Sequence, residues 1–380
     1  MKVLVTGDFC PAGRIAQRIN DISKEELFTD FLPYIENSDV AITCLECPLT
    51  DSTIKISKTG PSLKASPLSI RLLKEAGFNL VTLANNHIMD YSVKGLEDTL
   101  SVCDAAGIGY VGAGKNKAEL TNTYYKTIHG ITVAIINVCE NEWSTVDPEV
   151  GAHSLDPARN YALIQAAKKN ADYVFIITHG GHEMYHFPSP RMKQTFRFFI
   201  EAGADSIINS HTHCISGYEV YHNKPIFYSM GNFLFDGIGQ SFLNNKNIND
   251  SWNEGYAVLF QLGNNGLSYQ IIPYIQNNHQ LGIKLMNEEE RQKVLRTISS
   301  INKIIENDTL LEEEFNRFCF RVSKQYQSFI EPYRNKYLHA LRNRRLIPTL
   351  LSHQKKLLLK NIIRCESHRE VITHLLPLQK

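Results

Sequence analysis

Seven short apolar runs, at positions 2–7, 39–45, 80–84, 131–138, 173–178, 205–209 and 225–229, recur along the first 230 residues. Helix-patterned segments separate most of them. This alternation constrains the fold more than any other feature, because a strand that is apolar on both faces must be covered on both. Segments 67–77, 92–107, 156–170 and 189–203 carry apolar residues at helical spacing. Gly77, Gly107 and Gly203 stand where a helix end favours a left-handed residue. Two later runs, 256–262 and 267–275, read as a hairpin over Gly263-Asn264-Asn265-Gly266. The closing strands are then antiparallel and the sheet is mixed.

From about Met286 the pattern is helical only, over 288–305, 310–329 and 332–346. The predicted organisation is a layered α/β body, 1–280, followed by a helical C-terminal region, 286–380. Segment 237–253, rich in Asn and Gly, follows one of the strands and is a candidate active-site flap. With 43% apolar and 21% charged residues the chain can bury an ordinary globular core. No run approaches the roughly 20 apolar residues of a membrane-spanning helix. A strand beginning at Lys2 leaves no room for a signal peptide, so a cytoplasmic location is expected.

The runs end in a consistent chemistry. Asp8 ends the first and Glu46 the second; Asn85-Asn86-His87, His179-Gly180-Gly181-His182-Glu183 and His211-Thr212-His213 follow three others. Asp, Glu, Asn and His are the residues that hold hard or borderline divalent metals. In an α/β sheet the carboxyl ends of the strands converge on one crevice, so residues two hundred positions apart can meet. His211 and His213, at i and i+2 of an extended segment, face the same side. Each motif has a bland alternative: Asp8 as a turn or cap residue, Asn85-Asn86 as a turn, His179 as a buried histidine bonded to backbone. Their shared position at strand ends makes the metal reading of the set the stronger one.

The wording of these motifs resembles a known family. Gly7-Asp8, Leu45-Glu46-Cys47-Pro48-Leu49-Thr50, Leu83-Ala84-Asn85-Asn86-His87-Ile88-Met89-Asp90, Gly112-Ala113-Gly114, the 179–183 and 211–213 motifs, and 228–236 follow in one order. That order resembles the calcineurin-like metallophosphoesterases, and more closely the bacterial capsule-synthesis proteins of the CapA type, linked to poly-γ-glutamate. The resemblance covers Met1 to about Asp236 and leaves out the helical tail. It implies a layered α/β/β/α metallophosphatase-like sandwich with mixed sheets. It also implies that Asp8, Glu46, Asn86, His179, His211 and His213 ligate one or two divalent transition metal ions, Mn, Zn or Fe. Glu46 would then stand at a bridging position, and His87 would protonate a leaving oxygen.

Four departures stand out. The phosphoesterase Asp-x-His is Asp8-Phe9-Cys10 here, so one metal position is weak or empty or is filled by a Cys10 thiolate, with buried packing of that thiol the stronger reading. Gly180 replaces a usual Trp, Thr212 a usual Pro, and a Tyr expected after Glu183 is displaced to Tyr185. Glu183 and His182 are expected to line the pocket. Glu183 would be a catalytic partner that orients an imidazole, or a helix N-terminal Glu complementing the dipole.

Eight scattered cysteines fit reduced thiols. Cys44-Leu45-Glu46-Cys47 closes a strand instead of opening a helix, which favours small buried hydrophobes over a redox pair. The formal charge of +1 hides an asymmetry: positions 332–380 hold 11 Lys and Arg against 2 Glu, leaving the body acidic. Lys356, Lys360 and Arg364 recur at i+4, opposite Leu351, Leu358 and Ile362. Such a helix packs its apolar face on the body, lies peripherally on a membrane, or holds an anionic polymer. Expected partners are an anionic polymer or phosphorylated small substrate, and a biosynthetic-complex protein docked on the tail. No motif supports nucleic-acid binding. The two functions in contention are a metal-dependent hydrolase of a phosphoester or γ-glutamyl amide, and a non-catalytic partner in surface-polymer biosynthesis with a vestigial metal site.

Overall fold

The computed structural model describes residues 1–236, 251–264, 266–276, 280–330 and 352–375, with Tyr337, Leu341, Arg344 and Leu346 between the last two stretches. Two mixed sheets lie face to face. The first runs Ile283–Leu285, Gly266–Gln276, Glu254–Gly263, Lys2–Cys10, Val40–Leu45, Leu80–Thr82, Gly109–Val111, with Asn232–Phe235 pairing the end of Lys2–Cys10. From Lys2–Cys10 to Gly109–Val111 its pairs are parallel, and Glu254–Gly263 joins antiparallel. The second runs Tyr218–Tyr221, Lys224–Phe227, Ser206–Ser210, Tyr173–His179, Ile131–Cys139, Tyr124–Ile128, parallel inside and antiparallel at both edges. The predicted hairpin forms with Gly263 opposite Gly266.

Side chains alternate across each strand, which sorts them into three cores. Val3, Val5, Ile42 and Leu80 meet Ile135, Phe175, Ile208 and Phe227 between the sheets. Leu4, Ala41 and Val81 face outward against Leu27, Phe31, Leu73 and Leu96 of the flanking helices. On the far side Ala134, Ile136, Val174 and Ile176 pack against Ile164, Phe196, Phe199 and Ile301. The layering is α/β/β/α, as the resemblance implied.

The helices begin and end where their local chemistry directs. Asp156 and Ser189 accept backbone N–H groups at the starts of Pro157–Lys168 and Pro190–Glu201. Gly77 and Gly107 close Ile70–Ala76 and Ser92–Ala106 in left-handed geometry. Asn287 and Glu290 form a capping box before Glu288–Glu306.

Asp308–Ile330, His353–Arg364 and Glu366–Leu375 complete the helical C-terminal region. Phe315, Phe318, Cys319, Tyr326 and Val371 gather around Tyr185 of the body. Most of the helix expected over 332–346 and most of the candidate flap, 237–253, lie outside the described residues. Ile362 is buried while Lys356 and Lys360 are exposed, so the basic helix packs its apolar side inward. No described helix is long and apolar enough to cross a membrane.

Candidate metal centre

The carboxyl ends of five parallel strands bring the motifs together. Register shifts between Val5 and Asp8, and Asn232–Phe235 comes alongside at that point. A Cβ on Gly7 would lie 1.9 Å from the Gly231 carbonyl oxygen, so only glycine admits the third chain. Asp8 then points inward, fully buried, and its Oδ2 accepts the His211 N–H at 2.9 Å, 203 positions away in sequence. Glu46, also fully buried, follows Val40–Leu45. The Asn85 side chain donates to the Leu45 carbonyl and accepts from His87 and Ile88 N–H, a turn that aims Asn86 and His87 at the same place.

Three histidines close the group. His179 Nε2 lies 3.2 Å from Asn86 Oδ1, 3.1 Å from His211 Nδ1 and 3.4 Å from Glu46 Oε1. His213 Nδ1 donates to Asn232 Oδ1 at 2.8 Å, leaving Nε2 toward Glu46 Oε1 at 3.8 Å. His211 and His213 hold positive φ angles of 94° and 56°, a strained conformation for side chains of this size that clusters at functional sites.

These residues fit a cation. Asp8 Oδ1 and both Glu46 oxygens are buried with no hydrogen-bond partner among the described residues. Burying unpartnered carboxylate oxygens is costly unless a cation or donor meets them. Burial alone would raise the Asp8 pKa, but the imidazole of His179, its Nδ1 3.5 Å from Oδ1, and then the charge of His213 outweigh it and hold the carboxyl below its ordinary range. Burial alone would lower His179; Glu46, Cys44 and Asp8 outweigh that and hold it well above its usual value. His211 is pushed the other way, by burial and then by the charges of His179 and His213. Donor atoms fall into overlapping groups within 4.8 Å: Asp8, Glu46 and His213, and Glu46, His179 and His211. Glu46 belongs to both.

The thiol at the centre is Cys44, not Cys10. Cys44 Sγ stands 3.6 Å from His179 Nδ1 and groups with Asp8 and His179, and burial pushes its pKa up to about 12. Cys10 packs with Cys47 and Phe9 among the apolar residues of the first sheet's outer face, because the register shifts between Asp8 and Phe9 and breaks the alternation that would return Cys10 to the Asp8 side. All eight cysteines are buried and free.

His87 faces a cavity of about 490 Å³ beside the cluster. Its Nδ1 meets Asp90 Oδ2 at 2.6 Å; Asp90 also pairs with Lys58 at 2.5 Å and accepts the Leu63 N–H at 2.7 Å. Asp90 at i+3 from His87 was visible in the motif; Lys58 carried no signal. Glu183 lines the cavity in a turn, well before the helix that starts at Pro190, so the helix-dipole alternative is removed. His182 does not line it: its ring packs 5.0 Å from Phe318 and 5.6 Å from Phe315. Gly180 has a local reason too, since a Cβ there would meet Glu140 Cγ at 2.6 Å. Glu140 in turn binds Arg191 and Ser367, and Arg191 reaches Glu370 at 3.2 Å. Where a Trp would sit, a polar network fastens the C-terminal helices instead.

Residues 2–237 match the family described as bacterial capsule synthesis protein PGA_cap. The chain belongs to that family. Among its relatives, a capsule biosynthesis protein CapA of Bacillus anthracis is 32% identical over 246 residues, 62% of this chain and 60% of that protein. A PGA biosynthesis protein CapA of Bacillus subtilis is 31% identical over 230 residues, 59% of this chain and 60% of that one. The match thus spans about three-fifths of the length of these curated relatives, and the C-terminal helices lie beyond the family match. Likeness to solved structures is remote. A hypothetical protein of Thermus thermophilus gives a TM-score of 0.47 at 16% identity, over 72% of this chain and 98% of that one. The 5'-nucleotidase of Candida albicans gives 0.41 at 13%, over 85% and 58%.

Proposed function

We propose that this chain is a metal-dependent hydrolase of a phosphoester or γ-glutamyl amide bond, serving synthesis of a bacterial surface polymer. The observation that carries the reading is the set of three orphaned, buried carboxylate oxygens on Asp8 and Glu46 within reach of three imidazoles, next to an open cavity. A structural ion would need no cavity and no aimed His–Asp pair. Asp8, Glu46, Asn86, His179, His211 and His213 would hold one or two ions; the mixed O and N donors suit Mn, Zn or Fe. Bound there, a divalent ion supplies a hydroxide at neutral pH and polarises the bond to be cut.

The protein's own part is positional. Asn232 fixes the His213 tautomer, and the Asp8 contact to the His211 N–H fixes the strained loop that carries both histidines. Asp90 orients the His87 ring, so that Nε2 can hand a proton to the departing oxygen. Glu183 borders the same space, and its charge raises the His213 pKa after the larger contribution of Glu46, both against burial. Elemental analysis of protein purified without chelator, with hydrolysis of nitrophenyl phosphate esters, tests the reading. Bound Mn, Zn or Fe and turnover, both lost in Asp8→Ala, support it. No metal after soaking and no turnover would leave the non-catalytic partner reading in its place.

A further inference from the structure

The C-terminal helices do more than cover the body. Asn361, in His353–Arg364, and His368, in Glu366–Leu375, both line the cavity beside the metal centre. Asn361 is only 6% exposed, yet its Oδ1 has no partner among the described residues. A buried amide oxygen without a donor is destabilising unless something in the cavity supplies one. His368 Nδ1 is engaged by the Tyr326 hydroxyl at 2.7 Å, and burial with the charge of His182 lowers its pKa, keeping a neutral ring. Glu142 adds a carboxylate to the same wall, with Cys365 Sγ at 3.7 Å from Oε1.

We propose that Asn361 and His368, with Glu142, form a hydroxyl-binding subsite beside the metal centre, so that the ligand is a hydroxyl-bearing phosphoester of sugar or polyol type. The phosphoester half rests on the hydrolase reading; the hydroxyl-binding half does not. Three observations separate this ligand from the alternatives. Asn361 Oδ1 and the Glu142 carboxylate offer acceptors, which match hydroxyl donors. A γ-linked glutamate chain would instead bring carboxylates against Glu142 and Glu183. Trp143 and Trp252 also border the cavity, and aromatic faces pack against the apolar C–H faces of sugars.

Those are the chain's only two tryptophans, so intrinsic fluorescence reports this cavity directly. The full chain, as purified, would be titrated with glucose 1-phosphate, methyl α-glucoside, inorganic phosphate and a γ-linked glutamate tetramer. Glucose 1-phosphate should bind at least ~10-fold tighter than inorganic phosphate, about 1.4 kcal/mol. The tetramer should bind no better than phosphate. Asn361→Leu should remove that ~10-fold advantage while leaving phosphate binding unchanged; Glu142→Gln should remove it as well, read as the ratio of the two affinities, because losing the carboxylate also eases phosphate binding. Equal affinity for the two phosphates, preference for the tetramer, or an advantage that survives both variants overturns the proposal. Metal content of the same preparation judges the hydrolase reading separately. Metal-free protein that binds methyl α-glucoside keeps the subsite and loses the hydrolase. Metal-loaded, active protein with no sugar preference does the reverse.

Discussion

Replacing His87 by Ala should separate chemistry from metal holding. His87 is 6% exposed and its Nδ1 is taken by Asp90 at 2.6 Å, while the ring borders the cavity and belongs to none of the metal-type donor groups. The substitution leaves no orphaned charge, because Asp90 keeps Lys58 at 2.5 Å and the Leu63 N–H at 2.7 Å. Loss of one hydrogen bond to a charged group then costs about 1.5–3 kcal/mol of stability, which a folded domain can bear. The rate effect should be larger and selective. A positioned acid contributes typically ~10²–10⁴-fold, so hydrolysis of an alkyl phosphate should fall by about that factor. Nitrophenyl phosphate has a leaving group that needs little protonation and should lose less than about tenfold. Steady-state kinetics on both esters, with elemental analysis of each preparation, makes the comparison. Loss of metal from His87→Ala would make His87 a ligand. An equal fall on both esters would refute the acid role and point to a residue that binds the phosphoryl group.

Other consequences follow from the same contacts. Adding Mn or Zn to chelator-treated protein should raise the melting temperature, by about 2.7 kcal/mol of stability at a hundredfold excess over Kd; Asp8→Ala should abolish the shift, and a shift unchanged in that variant would place the ion elsewhere. His153 is buried against the Asn137 carbonyl and Asn160, and burial lowers its pKa to about 4. The unfolded chain takes up a proton near its ordinary 6.5 and the folded chain does not. Stability should therefore fall by about 3 kcal/mol as pH drops from 6.5 to 4, seen in urea midpoints, and His153→Gln should flatten that slope. Gly7→Ala must push its Cβ away from the Gly231 oxygen, 1.9 Å off, and should lower the denaturation midpoint by at least the ~1–3 kcal/mol of an overpacked core site; an unchanged midpoint would refute the close approach.

Much of the layering was legible because its causes are local. Strands buried on both faces read as continuous apolar runs; helical spacing marked the segments that became Pro157–Lys168, Pro190–Glu201 and Glu288–Glu306, and Gly77 and Gly107 marked helix ends. The order of polar residues at the strand ends brought Asp8, Glu46, Asn86, His179, His211 and His213 to one place, since parallel strands must deliver their carboxyl ends to the same edge. Cys10 packs outward, as buried packing of its thiol required, because the register shift between Asp8 and Phe9 ends the alternation that would place residues two apart on one face. His182 misled because adjacency to a ligand says nothing of which side a turn will present.

Sequence alone determined the strand-and-helix alternation, the capped helices and the set of metal-type residues, all of which follow from spacing along the chain. Only the tertiary structure decided what surrounds that set. That Cys44 stands beside His179, that Lys58 anchors Asp90, and that Asn361 and His368 wall the cavity from the C-terminal helices are contacts between distant segments. So is the Glu140–Arg191–Glu370 link that fastens those helices to the body. The physical reason is that periodicity fixes which face of an element is apolar. Which partner meets that face, at what register, depends on packing and charge pairing summed over the whole fold.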